Sequence, residues 1–367
     1  MTNALRTLLD TRDWLLADGA TGTNLFNMGL EAGEAPEMWN VQQPENITKL
    51  YQSAVDAGSD IFLTNTFGGN ASRLKLHNAV DQVHELNRIG ASIGRDVADA
   101  AGRPVFVAGS VGPTGEIMSP MGTLTHEIAV EMFHEQAEGL KAGGVDVLWV
   151  ETISAPEVFA AAAEAFALAG MDWCGTMSFD TAGRTMMGLT SKDMAKMVAK
   201  LAHQPIGYGA NCGVGASDLL RTILAMSEVD DKSVLISKGN AGIPKYHDGH
   251  IHYDGTPELM AKYAVLAVVA SVLCACAATS TTTITTTTGR AAATPASSRS
   301  RSACANCSAP CWQAGPCPSA PAARPQPCTP AGTYRPSSAW SRSAAGACCC
   351  TGALAKTVWW PPAAPKA

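Results

Sequence analysis

PVFVAGSV (104–111), HEIAVEMFHEQAEGLKAGG (126–144) and DVLWVETI (146–153) decide how this chain is read. The two outer runs are short, apolar and rich in β-branched residues, which suits a strand buried on both faces. The middle run spaces its apolar residues at threes and fours, opens after Thr125 and closes on two glycines, which suits a capped helix. Strand, helix and strand in this order make one step of a parallel sheet covered by helices.

The same step recurs on either side. Strand-like runs appear at WLLADGA (14–20), DIFLTNTF (60–67), WCGTMSFD (173–180), PIGYGANC (205–212) and VLISKGNA (234–241). Helical spacing appears in PENITKLYQSAVDAG (44–58), PEVFAAAAEAFALAG (156–170) and TPELMAKYAVLAV (256–268). Seven strand–helix repeats at roughly regular spacing favour an α/β fold of the closed (β/α)8 TIM-barrel type over an open doubly wound sheet. The eighth βα unit is incomplete. The chain there offers ASVLCACAATSTTTITTTTGR (270–290), in which residues 270–276 suit a strand and nothing later reads as an amphipathic helix.

Composition breaks at the same place. The chain has 367 residues and a net charge of −6, but all 32 acidic residues lie at or before Glu258. Residues 1–262 carry 18 basic residues against those 32 acids, a net −14, whereas the remaining 105 residues carry 8 basic residues and no acid. The later part also holds 10 of the 12 cysteines. We therefore read residues 1–268 as the barrel and 269–367 as a low-complexity Ala/Ser/Thr/Pro/Cys tail, expected to be disordered. Loss of acids with enrichment in Ala, Arg, Ser, Pro and Cys is what GC-rich codons give when read out of frame. Cys304, Cys307 and Cys311 have ligand-like spacing, but no histidine, acid or strand pattern frames them.

The acidic barrel argues against nucleic acid and anionic membranes as partners, since both need a positive face. The start, MTNALRTLLDTRDW, is charged where a secretory leader is apolar. The apolar run 264–278 is too short to span a bilayer as a helix. Cys174 and Cys212 are the only thiols of the barrel, too few for a disulfide framework, so the expected location is the reducing cytoplasm.

In a parallel barrel the C-terminal strand ends share one face. Read in order they give Asp18, Thr64 with Asn65 and Thr66, Ser110, Glu151, Asp180, Asn211 with Cys212, and Lys238 with Asn240. Carboxylates, hydroxyls, amides and a thiol around one mouth suit a small zwitterion, though each residue taken singly also suits a cap or a turn. Cys174 lies early in its strand and reads as a small buried residue. Cys212 ends its strand and reads as a nucleophile or a metal ligand; no histidine ends a strand to serve it as base, which tilts it toward metal.

Six motifs now carry a resemblance: ADGATGTNL (17–25), TNTFGGN (64–70), GSVGPTGE (109–116), VET (150–152), GANCGVG (209–215) and KGNAGIP (238–244). In order and spacing they resemble the homocysteine S-methyltransferases, which include betaine–homocysteine methyltransferase and the homocysteine module of cobalamin-dependent methionine synthase. The resemblance spans residues ~10 to ~268. It implies a barrel with Zn2+ held by three cysteine thiolates, which lowers the pKa of the homocysteine thiol so that the thiolate attacks the donor's methyl group and yields methionine. By motif, Cys212 matches the first zinc cysteine. Asp18 and Glu151 match acidic positions around the bound amino acid, with Glu151 holding its ammonium. Ser110 and Val111 match a turn whose backbone meets the substrate carboxylate, with Thr64 and Asn211 beside them.

The chain departs from that pattern where the other two zinc ligands belong. The resemblance implies adjacent cysteines in a GGCCGT motif at the eighth strand, and the chain has no such motif. Cys274 and Cys276 are substitutes at best, and His247, His250 and His252 lie in what reads as a loop. The expectation is a methyltransferase impaired in zinc binding and turnover. A stand-alone barrel suggests a small donor, with betaine favoured, and Trp39 in APEMWN is the expected wall of a cation–π cage. The alternatives are a homocysteine-binding subunit working with a separate cobalamin protein in a methyltetrahydrofolate-dependent methionine synthase, and a non-catalytic barrel remnant. An aldolase-like barrel with Lys238 as a Schiff-base lysine is disfavoured by the six motifs. A homo-oligomer is compatible with all of these.

Overall fold

Each of the seven strand-like runs becomes a strand in the computed structural model, which describes residues 4–243, 245–247, 250–273 and 357–359. The strands are β1 Trp14–Leu16, β2 Ile61–Leu63, β3 Phe106–Val111, β4 Val147–Ile153, β5 Trp173–Met177, β6 Gly207–Cys212 and β7 Val234–Gly239. Helices follow at Pro44–Asp56, His126–Ala142, Pro156–Leu168 and Pro257–Leu273, as the spacing predicts. Pro44 and Pro156 sit in first turns, where a missing N–H costs nothing, and the Thr125 hydroxyl caps the Ile128 N–H. The described residues all belong to one compact unit.

Three features were not foreseen. The helix Pro257–Leu273 takes in residues 270–273, so no strand forms there; neither Gly nor Pro interrupts the apolar run after Pro257. A hairpin, β8 Lys245–His247 with β9 His250–His252, forms where the histidine-rich stretch reads as a loop. The eighth sheet position is filled by β10, Thr357–Trp359, which pairs in parallel with β1 and β7. These three residues come from the stretch expected to be disordered, and their β-branched and aromatic types suit a strand. Among the described residues no helix follows β10. The rest of the tail, Cys274 and Cys276 included, lies outside the described residues.

The large sheet runs β1-β10-β7-β6-β5-β4-β3-β2, all parallel, and a bridge between Ala17 and Ile61 joins its two ends. This is the (β/α)8 barrel wall. A two-residue period divides its core. Leu15, Ile61, Leu63, Phe106, Ala108, Val147, Trp149, Cys174 and Ile236 point inward and pack with Leu5 and Leu9 of the helix Ala4–Thr11, which closes the N-terminal end. Phe62, Val107, Leu148, Val150, Trp173, Tyr208 and Leu235 point outward against the helices. Continued by two residues toward the C-terminal ends, the inward rows reach Ser110, Glu151 and Lys238.

Candidate active site

At the C-terminal end of the barrel lies a cavity of about 480 Å³. Each of the six motifs lends it lining residues, among them Thr64, Ser110, Glu151, Thr152, Asn211, Cys212, Lys238 and Asn240. Ser110 donates its hydroxyl to Glu151 Oε1 at 2.7 Å. Glu151 Oε2 lies 3.5 Å from Asn211 Nδ2 and 3.9 Å from Lys238 Nζ. Lys238 Nζ also pairs with Asp18 Oδ1 at 3.2 Å, and Asp18 Oδ2 accepts the Leu63 N–H. The ammonium stands 5.9 Å from the centre of the Trp149 ring, one layer deeper in the barrel.

Two carboxylates and one lysine thus share a buried patch with an excess negative charge. Burial pushes the Asp18 carboxyl above the ordinary carboxylate range, against the pull of Lys238 and the Leu63 N–H. Burial alone lowers a lysine, but Asp18 and Glu151 outweigh it and Lys238 stays protonated with a raised pKa. Asp18 does not line the cavity itself; it lies beneath Lys238 and anchors it.

The sequence pattern missed one device. Thr152 and Cys212 both have left-handed backbones, at φ 61° and 59°, and the β4–β5 register shifts between Val150 and Ile153. A β-branched residue in that region is strained by about 1–3 kcal/mol. The two turns are locked together: Thr152 N–H donates to Asn211 Oδ1 at 2.9 Å, and Asn211 Nδ2 donates to Thr152 Oγ1 at 2.7 Å. The same amide reaches Cys212 Sγ at 3.3 Å. The bulge turns the end of β4 so that both Glu151 and Thr152 face the cavity.

Thr64 works from behind the wall as well as in it. Its hydroxyl accepts the Ser110 N–H and pairs with Thr66, which donates to the Ser110 carbonyl. Asn40, Tyr51, Asn87 and Gln136 then hold the loop after β2 through Asn65, Thr66 and Gly69. None of these four supports is evident in the motifs. Val111, next to Ser110, points outward and is fully buried in the core. Trp39 is also core, 2% exposed and outside the cavity lining, because its short helix packs that face inward against the barrel's helices. The aromatic side chain that does line the cavity is Phe67.

The zinc implied by the resemblance does not fit the described residues. Cys212 is the cavity's one sulfur among them, and no three His, Cys, Asp or Glu side chains cluster as a metal site there. A structural or catalytic zinc needs at least three protein ligands, and a lysine ammonium nearby opposes it. Burial, then the Glu151 charge, pushes the Cys212 thiol up. Cys174, fully enclosed, is pushed up to about 12 and faces the barrel interior as expected.

Comparison with known proteins bears on the fold and the family. Among solved structures, the homocysteine methyltransferase MmuM from Escherichia coli is similar in fold. Its oxidized form gives a TM-score of 0.61 at 22% identity, covering 74% of this chain and 92% of that one. Its metallated form gives 0.60 at 20% identity, covering 73% and 92%. Among the described residues no helix is long and apolar enough to cross a membrane. The sequence model for homocysteine S-methyltransferases matches residues 15–290, and with that span matched and its six motifs meeting at one cavity, the chain belongs to the homocysteine S-methyltransferase family.

Proposed function

We propose that this cavity binds L-homocysteine for methyl transfer to its sulfur, with Glu151 receiving the substrate ammonium. The observation that carries the reading is the pre-set Glu151 carboxylate: one oxygen is fixed by Ser110, and the other faces Asn211 and Lys238 at longer range, leaving room for a stronger donor. The patch of two carboxylates and one lysine has an unfilled demand for one positive charge. Thr64, Ser110 and Asn211 set the wall, Asp18 anchors Lys238, and the sulfur of a bound homocysteine would approach Cys212. In the reaction the homocysteine thiol gives its proton to solvent, its sulfur bonds to the donor's methyl carbon, and the bond from that carbon to the donor's nitrogen breaks with the electron pair staying on the nitrogen, which then takes up a proton from solvent. A small donor, betaine favoured, suits a cavity of about 480 Å³, and a thiol substrate suits a reducing cytoplasm.

Zinc supplies thiol activation in the arrangement the resemblance implies. Because the described residues offer Cys212 alone, we take this chain to hold zinc poorly and to turn over slowly. That same observation favours a second reading, a barrel that binds the amino acid without catalysis. Calorimetric titration with L-homocysteine tests the shared part. We expect saturable binding that falls by at least about tenfold in Glu151→Gln. Undiminished binding in the variant would remove the assignment of Glu151.

A further inference from the structure

At Ser110 the sheet stops holding β3 from one side. The β2–β3 ladder ends at the pair Leu63 and Ala108, followed only by the Thr64 N–H donating to the Ala108 carbonyl at 2.9 Å. Beyond it side chains replace the strand. The Ser110 N–H donates to the Thr64 hydroxyl at 3.0 Å, and the Ser110 carbonyl accepts from Thr66 Oγ1 at 2.8 Å and from Gln136 Nε2 at 3.4 Å. Gln136 belongs to the helix His126–Ala142 and is fully buried. The same amide nitrogen donates to the Thr66 carbonyl at 2.7 Å and to Asn87 Oδ1 at 3.1 Å, on the helix Val83–Asp99. Gly139, three residues on, lets the two helices meet closely: a Cβ there would fall 2.6 Å from the His84 carbonyl and 3.1 Å from Asn87 Cβ. Two N–H groups thus serve three acceptors, while Gln136 Oε1 finds no donor among the described residues. An apolar side chain would fill the space without stranding that acceptor, so packing alone does not account for the amide. Nor do the two carbonyls depend on it: Thr66 O also accepts the Gly69 N–H at 2.9 Å, and Ser110 O keeps the Thr66 hydroxyl. What Gln136 adds is a tie between two helices, the loop after β2 and the residue whose hydroxyl fixes Glu151.

We propose that Gln136 is a positioning residue for amino-group recognition: by pinning the Ser110 backbone it aims the Ser110 hydroxyl at Glu151 Oε1, and so sets the carboxylate for the substrate ammonium. The inference rests on the reading that Glu151 receives that ammonium. Gln136 does not line the cavity and acts through Ser110. The direction of a serine hydroxyl follows its backbone, and a charge-assisted bond to a carboxylate weakens steeply as its angle opens. Loss of the tie should therefore fall on the amino group of the ligand more than on the rest of it.

The probes are L-homocysteine and 4-mercaptobutyrate, which is the same thiol acid without the amino group, so the ratio of their affinities reads amino recognition by itself. In the full chain L-homocysteine should bind more tightly, and Glu151→Gln should erase that preference. Gln136→Met, of equal length and without a donor, should cut the preference by about fivefold or more. Gln136→Asn keeps an amide but withdraws it by one methylene, and it should cut the preference too, which gives a second variant should the first fail to fold. In the Ser110→Ala background Gln136→Met should change the preference no further, as expected for two residues acting in series. A merely structural role would lower the melting temperature and leave the ratio at its wild-type value. That result in a folded Gln136 variant, or a full Gln136→Met effect on top of Ser110→Ala, would overturn the inference and leave the Glu151 reading standing. A preference missing from the wild type, or surviving Glu151→Gln, would overturn the Glu151 reading and the inference with it.

Discussion

Lys238 Nζ lies 3.2 Å from Asp18 Oδ1, with both side chains less than a tenth exposed, and the same ammonium is 3.9 Å from Glu151. One lysine therefore holds the floor of the cavity together, and it decides the shape in which Glu151 is presented.

Removing that ammonium strands two buried carboxylates. Lys238→Met should lower unfolding free energy by about 3–5 kcal/mol, the usual cost of breaking a buried pair on one side. Urea unfolding at neutral pH measures it. Because the folded pKa of Lys238 is raised above 10.5, its contribution is complete below that value and is lost as pH climbs through the folded pKa. The stability gap between wild type and variant should accordingly narrow above pH 10.5. A gap constant through that window would show that Lys238 is not charged in the fold.

The barrel's first seven strands were legible because each is an apolar run with a clear terminus, and the polar residues at those termini led directly to Ser110, Glu151 and Lys238. Trp39 was misread for a physical reason: a tryptophan near a strand end suits a cage and a core equally, and only packing separates the two. Thr152 and Cys212 carry left-handed backbones with no glycine to announce them, so the bulge that exposes Glu151 left no trace in the sequence. The eighth strand was invisible because TVW is three residues in a low-complexity stretch, with no apolar run or turn signal to mark it, and its partners β1 and β7 are distant in sequence.

Gly209 occupies a position with no space for a side chain. A Cβ built there falls on the Ile236 carbonyl of β7, a backbone atom that moves only if the two strands part. Gly209→Ala should cost about 1–3 kcal/mol, the range for forced overpacking, and should disturb Asn211 and Cys212 two and three residues on. Gly22→Ala is the control: nothing lies within 4 Å of its Cβ and it sits in the helix Thr21–Asn27, so its effect should stay within about 1 kcal/mol and favour the fold. Equal losses in both would mean that the β6–β7 contact is looser than the geometry has it.

Zinc content separates a lost metal centre from a repaired one. Cys212 offers a single sulfur beside Thr152 and Asn211, and one thiolate does not hold zinc against buffer competition. Elemental analysis of the purified chain should find well under one zinc per molecule. Grafting a GGCCGT segment directly after β10, Thr357–Trp359, adds two thiolates at the C-terminal end of the eighth strand, and stoichiometric zinc should appear only in the grafted protein. Cys212→Ser in the grafted protein should remove it again, which ties the metal to the cavity rather than to the graft. Stoichiometric zinc in the unaltered chain would mean that cysteines beyond Leu273 complete the site, and the assignment of weak metal binding would fall.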